Sequence, residues 1–417
     1  MAGKKGFFMR MKNGFKMIAT VLAVIAISIT GCDSPAGNGG TETGGGNQTP
    51  VAGHYAIGNL AQTAGSVTAV TITPNPGASP GAVVNVRYDG NTTVPQTAGT
   101  FAVTFDVEAA EGWYAVTGLS AGDLVVSATN AGINWTAVGD TTFDDLPVFG
   151  IAWGNDRFVA GGNGGRMAHS TDGISWTAVG DSTFTGMVGS IAWGNGRFVA
   201  GGIGGRMAHS TDGINWTAVV DSTFENNSIY RKAWGNGRFV AVGPGGRMAH
   251  STDGISWTAV GDSTFGSSTV GRIVWGDGKF VAGGAAGRMA HSTDGINWTA
   301  VVDSTFENDI WGIAWGNGKF VAGDAGGRMA HSTDGISWTA TEDSTLGARV
   351  QGIAWGDGRF VAGATNGRMA HSTDGIIWTA VEDSTFDSSS FFLGVAWGNN
   401  RFVAVGVNGR IAYSIGD

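Results

Sequence analysis

A tryptophan-glycine step recurs seven times in this 417-residue chain, at Trp153, Trp193, Trp234, Trp275, Trp315, Trp355 and Trp397. The spacing is 40 to 42 residues throughout. So regular a period makes each unit one supersecondary module that buries its apolar surface against its neighbours. Apolar residues at the three- and four-residue spacing of a helix are absent, which excludes a helical solenoid.

One unit divides at its own turn signals. "GSIAWG" (189–194) and "RFVAGG" (197–202) are separated by Asn195-Gly196, a pair that favours a type I′ hairpin because both positions must accept positive φ. The other copies read Asn155-Asp156, Asn236-Gly237, Asp277-Gly278, Asn317-Gly318, Asp357-Gly358 and Asn399-Asn400, all tolerant of the left-handed region. A Gly-rich loop, "RMAHST", the turn Asp212-Gly213 and "INWTAV" complete four antiparallel strands, a to d. Alternation puts Ile191 and Trp193 on one face and Ala192 and Gly194 on the other, so copies pack large onto small at roughly 10 Å. Each Trp buries roughly 150–250 Å², about 4–6 kcal/mol at about 25 cal/mol per Å² before entropy, and the repeats hold fourteen. Four short strands per unit of this length are what a propeller blade needs.

The ends favour a closed ring. The C-terminus stops after strand c, at "RIAYSIGD" (410–417), whereas an orphan strand d, "GINWTAV" (132–138), precedes the first complete strand a. Joined, they complete one blade and remove the free edge; an open stack needs polar capping units instead. The expectation is an all-β chain: a seven-bladed β-propeller over residues 127–417 whose N-terminal strand closes the last blade.

"STDGISW" at Ser170, Ser251 and Ser332, "STDGINW" at Ser210 and Ser292, and "STDGIIW" at Ser372 resemble the Asp-box hairpin of sialidase-like propellers, one residue shorter between Asp and Trp. The resemblance covers residues 127–417. It implies that Asp172, Asp212, Asp253, Asp294, Asp334 and Asp374 are structural turn residues, remote from any active site, accepting bonds from their own backbone as Asx residues do.

Upstream, five basic residues, an apolar run from Met17 to Ile29 and small residues before Cys32 read as an export signal over 1–31, the run being too short to span a membrane. Ile29-Thr30-Gly31-Cys32 resembles the bacterial lipobox, which implies lipid attachment at Cys32, the sole cysteine, and hence no disulfides. Residues 32–52 are a lipidated Cys and Gly-rich flexible tether. Residues 53–126 hold β-rich runs between Pro/Gly turns and suggest a small sandwich. There "YDGNTTVPQTAGTFAVTFDV" and "YAVTGLSAGDLVV" resemble the small Ig-like modules of bacterial surface proteins, implying a spacer.

The first 31 residues hold five of the 24 basic and none of the 33 acidic residues, so removing them leaves 19 against 33, a net charge of −14. That argues against nucleic acid or anionic lipid as partner. Fourteen of the 19 are the repeated Arg or Lys before Phe and the Arg of the "GR" step, and read as structural.

Repetition offers an internal comparison: positions identical in every unit serve the fold, and positions that differ are free to serve a ligand. The a–b and c–d turns barely change, whereas the d-to-a connections vary strongly and the b–c loops mildly. Alternation puts both variable sets on one face. It gathers aromatics outside the repeat, Phe149, Tyr230, Trp311, Phe391 and Phe392, and the basic residues Arg231, Lys232, Arg272 and Arg349. Phe149, Tyr230, Arg231, Arg272, Trp311, Arg349, Phe391 and Phe392 are the candidate ligand-binding residues, since aromatics with a few polar partners suit sugar rings or protein hot spots.

No cofactor or metal is expected: His169, His209, His250, His291, His331 and His371 recur one per blade and cannot converge as a ligand set must. Sialidases use an arginine cluster for a carboxylate, a Tyr activated by a Glu, and an Asp acid/base. Here Tyr230, Glu225 and Glu307 lie in variable loops, but the Arg-Ile-Pro step typical of those enzymes is absent. The reading is therefore a non-enzymatic, exported, lipid-anchored protein of the bacterial cell envelope, expected as a monomer, whose variable face binds a glycan or protein ligand. Inner membrane, outer membrane and cell surface stay open. The alternatives are a sialidase-like glycoside hydrolase and an envelope assembly factor with a dedicated protein partner.

Overall fold

The computed structural model describes residues 47–416, apart from 64–66, 79, 96–98, 128–129 and 390. The export signal and Cys32 lie outside the described residues.

Strands Ala61–Thr63, Val116–Ser127, Gly99–Val107 and Val83–Tyr88 form, in that order, a four-stranded sheet whose first pair is parallel and the rest antiparallel. Tyr55–Gly58 and Thr71–Pro74 make a two-stranded ribbon. Tyr55, Val70, Tyr88, Val103, Phe105 and Leu124 are buried in one cluster between them. Asp106 accepts both terminal nitrogens of Arg87 at 2.9 and 3.0 Å and the Gly118 N–H at 2.9 Å. The sequence pattern carries the flexible tether through residue 52, but Gln48 donates its N–H to Gly112 O at 2.7 Å and accepts from Tyr114 N at 2.8 Å. A backbone ladder needs no apolar side chain, so the Gly-rich composition concealed this pairing.

Among the described residues, seven four-stranded sheets are built from the repeat. In the second, strands Val188–Gly194, Arg197–Gly202, Met207–Ser210 and Thr217–Ala218 pair antiparallel in chain order. Asn195 and Gly196 between the first two have φ of 47° and 69°, the left-handed pair that a two-residue hairpin requires. The last sheet takes Phe392–Gly398, Arg401–Gly406 and Ile411–Ile415 from the C-terminus. Its fourth strand is Thr136–Ala137, with Tyr413 opposite Thr136 and Ala412 opposite Ala137.

Strand a of each sheet packs on strand a of the next, and that of the last on that of the first. The glycine ending each strand a is the reason they approach so closely. A methyl group on Gly154 would overlap the Trp193 indole, and the same holds for Gly194 and Trp234, Gly276 and Trp315, and so on round to Gly398 and Trp153. Large packs onto small, as alternation requires. Each Trp leans on the Phe opposite it in strand b, for example Trp193 on Phe198 with centroids 4.5 Å apart. The apolar clusters accordingly straddle neighbouring sheets, with Val159 and Met167 of one joined to Val188, Ile191 and Phe198 of the next.

The c–d turn explains its own sequence. Asp212 Oδ1 accepts the N–H groups of Ile214 and Asn215 at 2.8 Å each; Ser210 Oγ accepts Gly213 N–H at 2.8 Å; and Trp216 Nε1 donates to Gly213 O at 3.2 Å. Burial alone raises such a carboxyl, but these donors outweigh it and draw Asp253 and Asp334 down to about 2. The turn also joins neighbours. Asn195 Nδ2 donates to Thr252 O at 3.1 Å, and the same bond closes the circuit from Asn399 to Thr171 O at 3.0 Å. The a–b and c–d turns thus share one face. On the other, b–c loops bond to d–a loops, as Ile203 N–H does to Met187 O and Thr365 N–H to Arg349 O.

Candidate ligand-binding site at the channel mouth

The first strands of the seven sheets surround a central channel that opens on the variable face. A cavity of about 110 Å³ lies among them, lined by residues that include Ser190, Arg231, Arg272, Ile313 and Gln351. A second space of about 160 Å³ adjoins it towards the loops, lined by Phe149, Met187, Tyr230, Trp311 and Leu393 with the same two arginines.

Position along strand a decides what each residue does, and the repeat Trp is the ruler. Four residues before it stand Phe149, Tyr230, Trp311, Gln351 and Leu393, with glycine in the other two copies. In six sheets the register slips here, as between Val148 and Gly150 or Ile310 and Gly312. Such a bulge leaves one residue out of the ladder and re-aims it, here into the mouth. Three residues before the Trp, four copies have glycine, and the exceptions are Ser190, Arg231 and Arg272. Two before, all copies have Ile or Val except Lys232.

These departures touch one another. Arg272, 5% exposed, donates to Gly271 O at 2.9 Å and across the channel to Gln351 O at 2.8 Å. Arg231, half-buried, donates to Gly189 O at 2.7 Å and Tyr230 O at 2.8 Å. Lys232, 7% exposed, reaches Ser190 Oγ at 2.7 Å and Ser190 O at 3.3 Å. Arg272 and the exposed Arg349 each lie 5.2 Å from the centroid of the Trp311 ring. Burial draws the Arg231 guanidinium down to about 10. Burial first, then Arg231 and Arg349, push Arg272 well below its ordinary value, and burial with Arg231 does the same to Lys232.

Five of the eight expected residues, Phe149, Tyr230, Arg231, Arg272 and Trp311, therefore line one mouth, and Arg349 joins through Trp311. The two phenylalanines do not. Phe392 is fully buried, its ring 6.0 Å from Phe386 and packed with Phe402 and Ala404. It stands five residues before Trp397, the core position that Val148, Val188 and Ile310 take elsewhere, and Leu393 holds its sheet's place at the mouth. Phe391 is 40% exposed and does not line either space. The residues missed were Ser190, Gln351, Met187 and Leu393. Counting back from each Trp finds three of them; Met187 sits in a loop of its own and gives no such signal.

No carboxylate lines either space among the described residues. Glu225 pairs with Arg247 at 3.0 Å, and Glu307 with Arg328 at 3.7 Å, so both loop glutamates face repeat arginines at the rim. A further hollow beside the joined termini is lined by Asp140, Asp144, Asn408 and Arg410 and carries no aromatic residue.

Comparison with known proteins bears on the fold. No family model matches the chain, and no curated protein matches it. Among solved structures, Ycf48 from Cyanidioschyzon merolae superposes with a TM-score of 0.55 at 18% identity, over 67% of this chain and 98% of its own. Virginiamycin B lyase from Staphylococcus aureus gives 0.59 at 14%, over 67% and 98%. The WD40 propeller domain of Doa1 gives 0.53 at 11%, over 67% and 97%. At such identities the likeness concerns architecture alone. The chain is an all-β protein with the repeated four-stranded sheets of a β-propeller.

Proposed function

We propose that this chain is an exported, lipid-anchored binding protein of the bacterial envelope, in which a seven-bladed propeller carried on a small Ig-like spacer takes a protein ligand at the channel mouth. One observation carries the reading. Phe149, Tyr230 and Trp311, from three different sheets, converge with Arg231 and Arg272 on a single opening, while the opposite face is held by bonds that repeat from sheet to sheet. Rigid aromatics beside arginine are the composition of a binding hot spot. Support also comes from a Ycf48 structure bound to a D1 peptide, which has the same architecture at a TM-score of 0.55 and 15% identity, over 68% of this chain and 97% of that one. Seven sheets, with Gly398 against Trp153 at the closure, favour seven blades. The loop glutamates, engaged with Arg247 and Arg328, leave Tyr230 without the activator that sialidase chemistry needs.

The test is cross-linking in the native envelope with wild-type chain, Trp311→Ala and Tyr230→Ala. A partner recovered with wild type and lost from both variants at unchanged melting temperature is the expected result. A partner recovered equally from all three ends the assignment to this face. Cys32→Ser is expected to release the chain from the membrane fraction.

A further inference from the structure

Two arginines, Arg231 and Arg272, line the mouth, Arg349 lies over Trp311 beside them and Lys232 sits behind on Ser190, and among the described residues no carboxylate lines the mouth to answer them. Arg231, Lys232, Arg272 and Arg349 are four of the five non-repeat basic residues that follow the export signal, in a sequence whose overall charge is negative. Their hydrogen-bond acceptors are neutral: the carbonyls of Gly189, Tyr230, Gly271 and Gln351, and Ser190. Elsewhere on this face four of the seven repeat arginines, Arg166, Arg247, Arg328 and Arg410, do have carboxylates, as Arg166 has Asp144 at 2.6 Å. The contrast matters because buried like charges repel and lose hydration, and where Arg231, Arg272 and Lys232 stand the other copies have glycine or serine, and isoleucine or valine.

Donors are left over. A guanidinium offers five N–H groups in a fork that fits an oxyanion, and the bonds above use only the Nη1 of Arg231 and the two Nη atoms of Arg272. Trp311 Nε1 is buried in the same wall without an acceptor, and Gln351 Oε1 without a donor. Turning the Gln351 amide over presents N–H groups there as well. Above this cationic layer the lining is apolar: Phe149, Met187, Leu393 and the faces of Tyr230 and Trp311.

We propose that the mouth is a receptor for one oxyanion group carried on an apolar or aromatic body, the anion held by Arg231, Arg272 and Arg349 and the body seated among Phe149, Trp311 and Leu393. It rests on the protein-binding reading only in identifying that body with an acidic segment of the ligand. Lys232 stands behind the lining, its amine on Ser190 of the preceding sheet. Burial first, and then Arg231, lower the Lys232 amine, and an anion beside Arg231 offsets the second of these.

The experiment uses the full chain and three probes of one shape followed by fluorine NMR: 4-fluorophenylacetate, 4-fluorophenyl phosphate and the neutral 4-fluorophenylacetamide. Both acids are expected to bind, with the amide at least ten-fold weaker. Affinity for the acids falls roughly ten-fold or more in Arg272→Met and by a few-fold in Arg349→Ala, and weakens as salt is raised. Arg349 is exposed, so its variant keeps the test open where Arg272→Met fails to fold. The ratio of phosphate to carboxylate affinity says which oxyanion the site prefers. Equal binding of acids and amide, or acid binding undiminished in Arg349→Ala and in any folded Arg272→Met, overturns the proposal. Probe failure with partner capture still dependent on Trp311 sinks the oxyanion site and leaves protein binding standing; acid binding with no partner found does the reverse.

Discussion

Gly276→Ala tests the packing on which the ring depends. Gly276 ends a strand a at ordinary backbone angles, so alanine there carries no conformational penalty and the cost is steric alone. The added methyl carbon would stand 2.7 Å from Trp315 Cβ and nearer still to the indole, against 3.4–4 Å for an ordinary contact. Relief requires the two sheets to part by about 1 Å. The indole cannot simply swing away, because Phe320 holds it at 4.4 Å. Overpacking of this kind costs about 1–3 kcal/mol, and two sheets locked into a ring put this case at about 3. Gly237→Ala is the control: its φ is +68° with nothing within 4 Å, so it carries only the left-handed penalty of about 1 kcal/mol. Urea unfolding, followed by circular dichroism and tryptophan fluorescence together, reads both. Adding Trp315→Ala to Gly276→Ala removes the Cγ and Cδ2 that lie nearest the methyl, and the pair is expected to fall short of additivity by about 1–3 kcal/mol. A Gly276→Ala variant no less stable than Gly237→Ala, or a strictly additive double variant, refutes the account.

Three further outcomes are expected. Reverting the cationic departures to the repeat, with Arg231→Gly, Lys232→Ile and Arg272→Gly, abolishes binding of an oxyanion probe and raises stability by about 1–3 kcal/mol, read from urea midpoints, because repulsion and buried charge are removed together. In wild type burial, and then Arg231, make the Lys232 amine hold its proton less well folded than unfolded, so the unfolded chain binds more protons and stability climbs as pH rises towards the ordinary lysine value; in Lys232→Met that slope flattens below the ordinary lysine value, and an unchanged slope counts against a lowered, buried amine. The turn carboxylates run the other way: their folded values lie below the unfolded ones, so the stability they supply is complete above about pH 4 and is lost as pH falls towards 2, and Asp253→Ala, costing about 1–2 kcal/mol at neutral pH, shows a shallower acid melting profile than wild type.

The sheets were legible because each unit announces its turns. Asn195-Gly196 and Asp212-Gly213 fix two hairpins, and the Trp period fixes the rest; the unmatched "GINWTAV" even names the strand that meets Ile411–Ile415. The site was legible in part, through residues that break the repeat. Tyr230, Trp311, Arg231 and Arg272 stand out in any alignment of the copies. Phe391 and Phe392 also stand out, yet Phe392 merely enlarges a core position, because difference from the repeat marks a changed residue without saying which way it faces. Register supplies that. Measured from Trp397, Phe392 belongs with Val148 and Leu393 with Phe149. What no reading of one unit could supply is contact between sheets. Ser190 beneath Lys232, and Arg349 over Trp311, join residues about 40 positions apart, and each partner alone looks like an ordinary variation.

The proposed division of work between the two faces of the ring, stability on one and recognition on the other, follows from how each bond is made. On the constant face, among the described residues, the Asn-to-Thr bond is made in five of the seven sheets and the carboxylate-held turn in six, so the loss of one leaves the others in place. That redundancy permits departures on the opposite face that a single core would tolerate poorly. Arg272 in place of glycine carries a charge into the channel, and Lys232 in place of isoleucine exchanges apolar contact for an amine held only by Ser190. Neither improves packing. Three of the cationic departures fall on two adjacent sheets, and Arg231 and Arg272 line one opening where aromatic residues from three sheets already meet, with Arg349 over Trp311 beside it. Drift without function would scatter such costs around the ring, whereas a ligand that lands at the mouth concentrates them there.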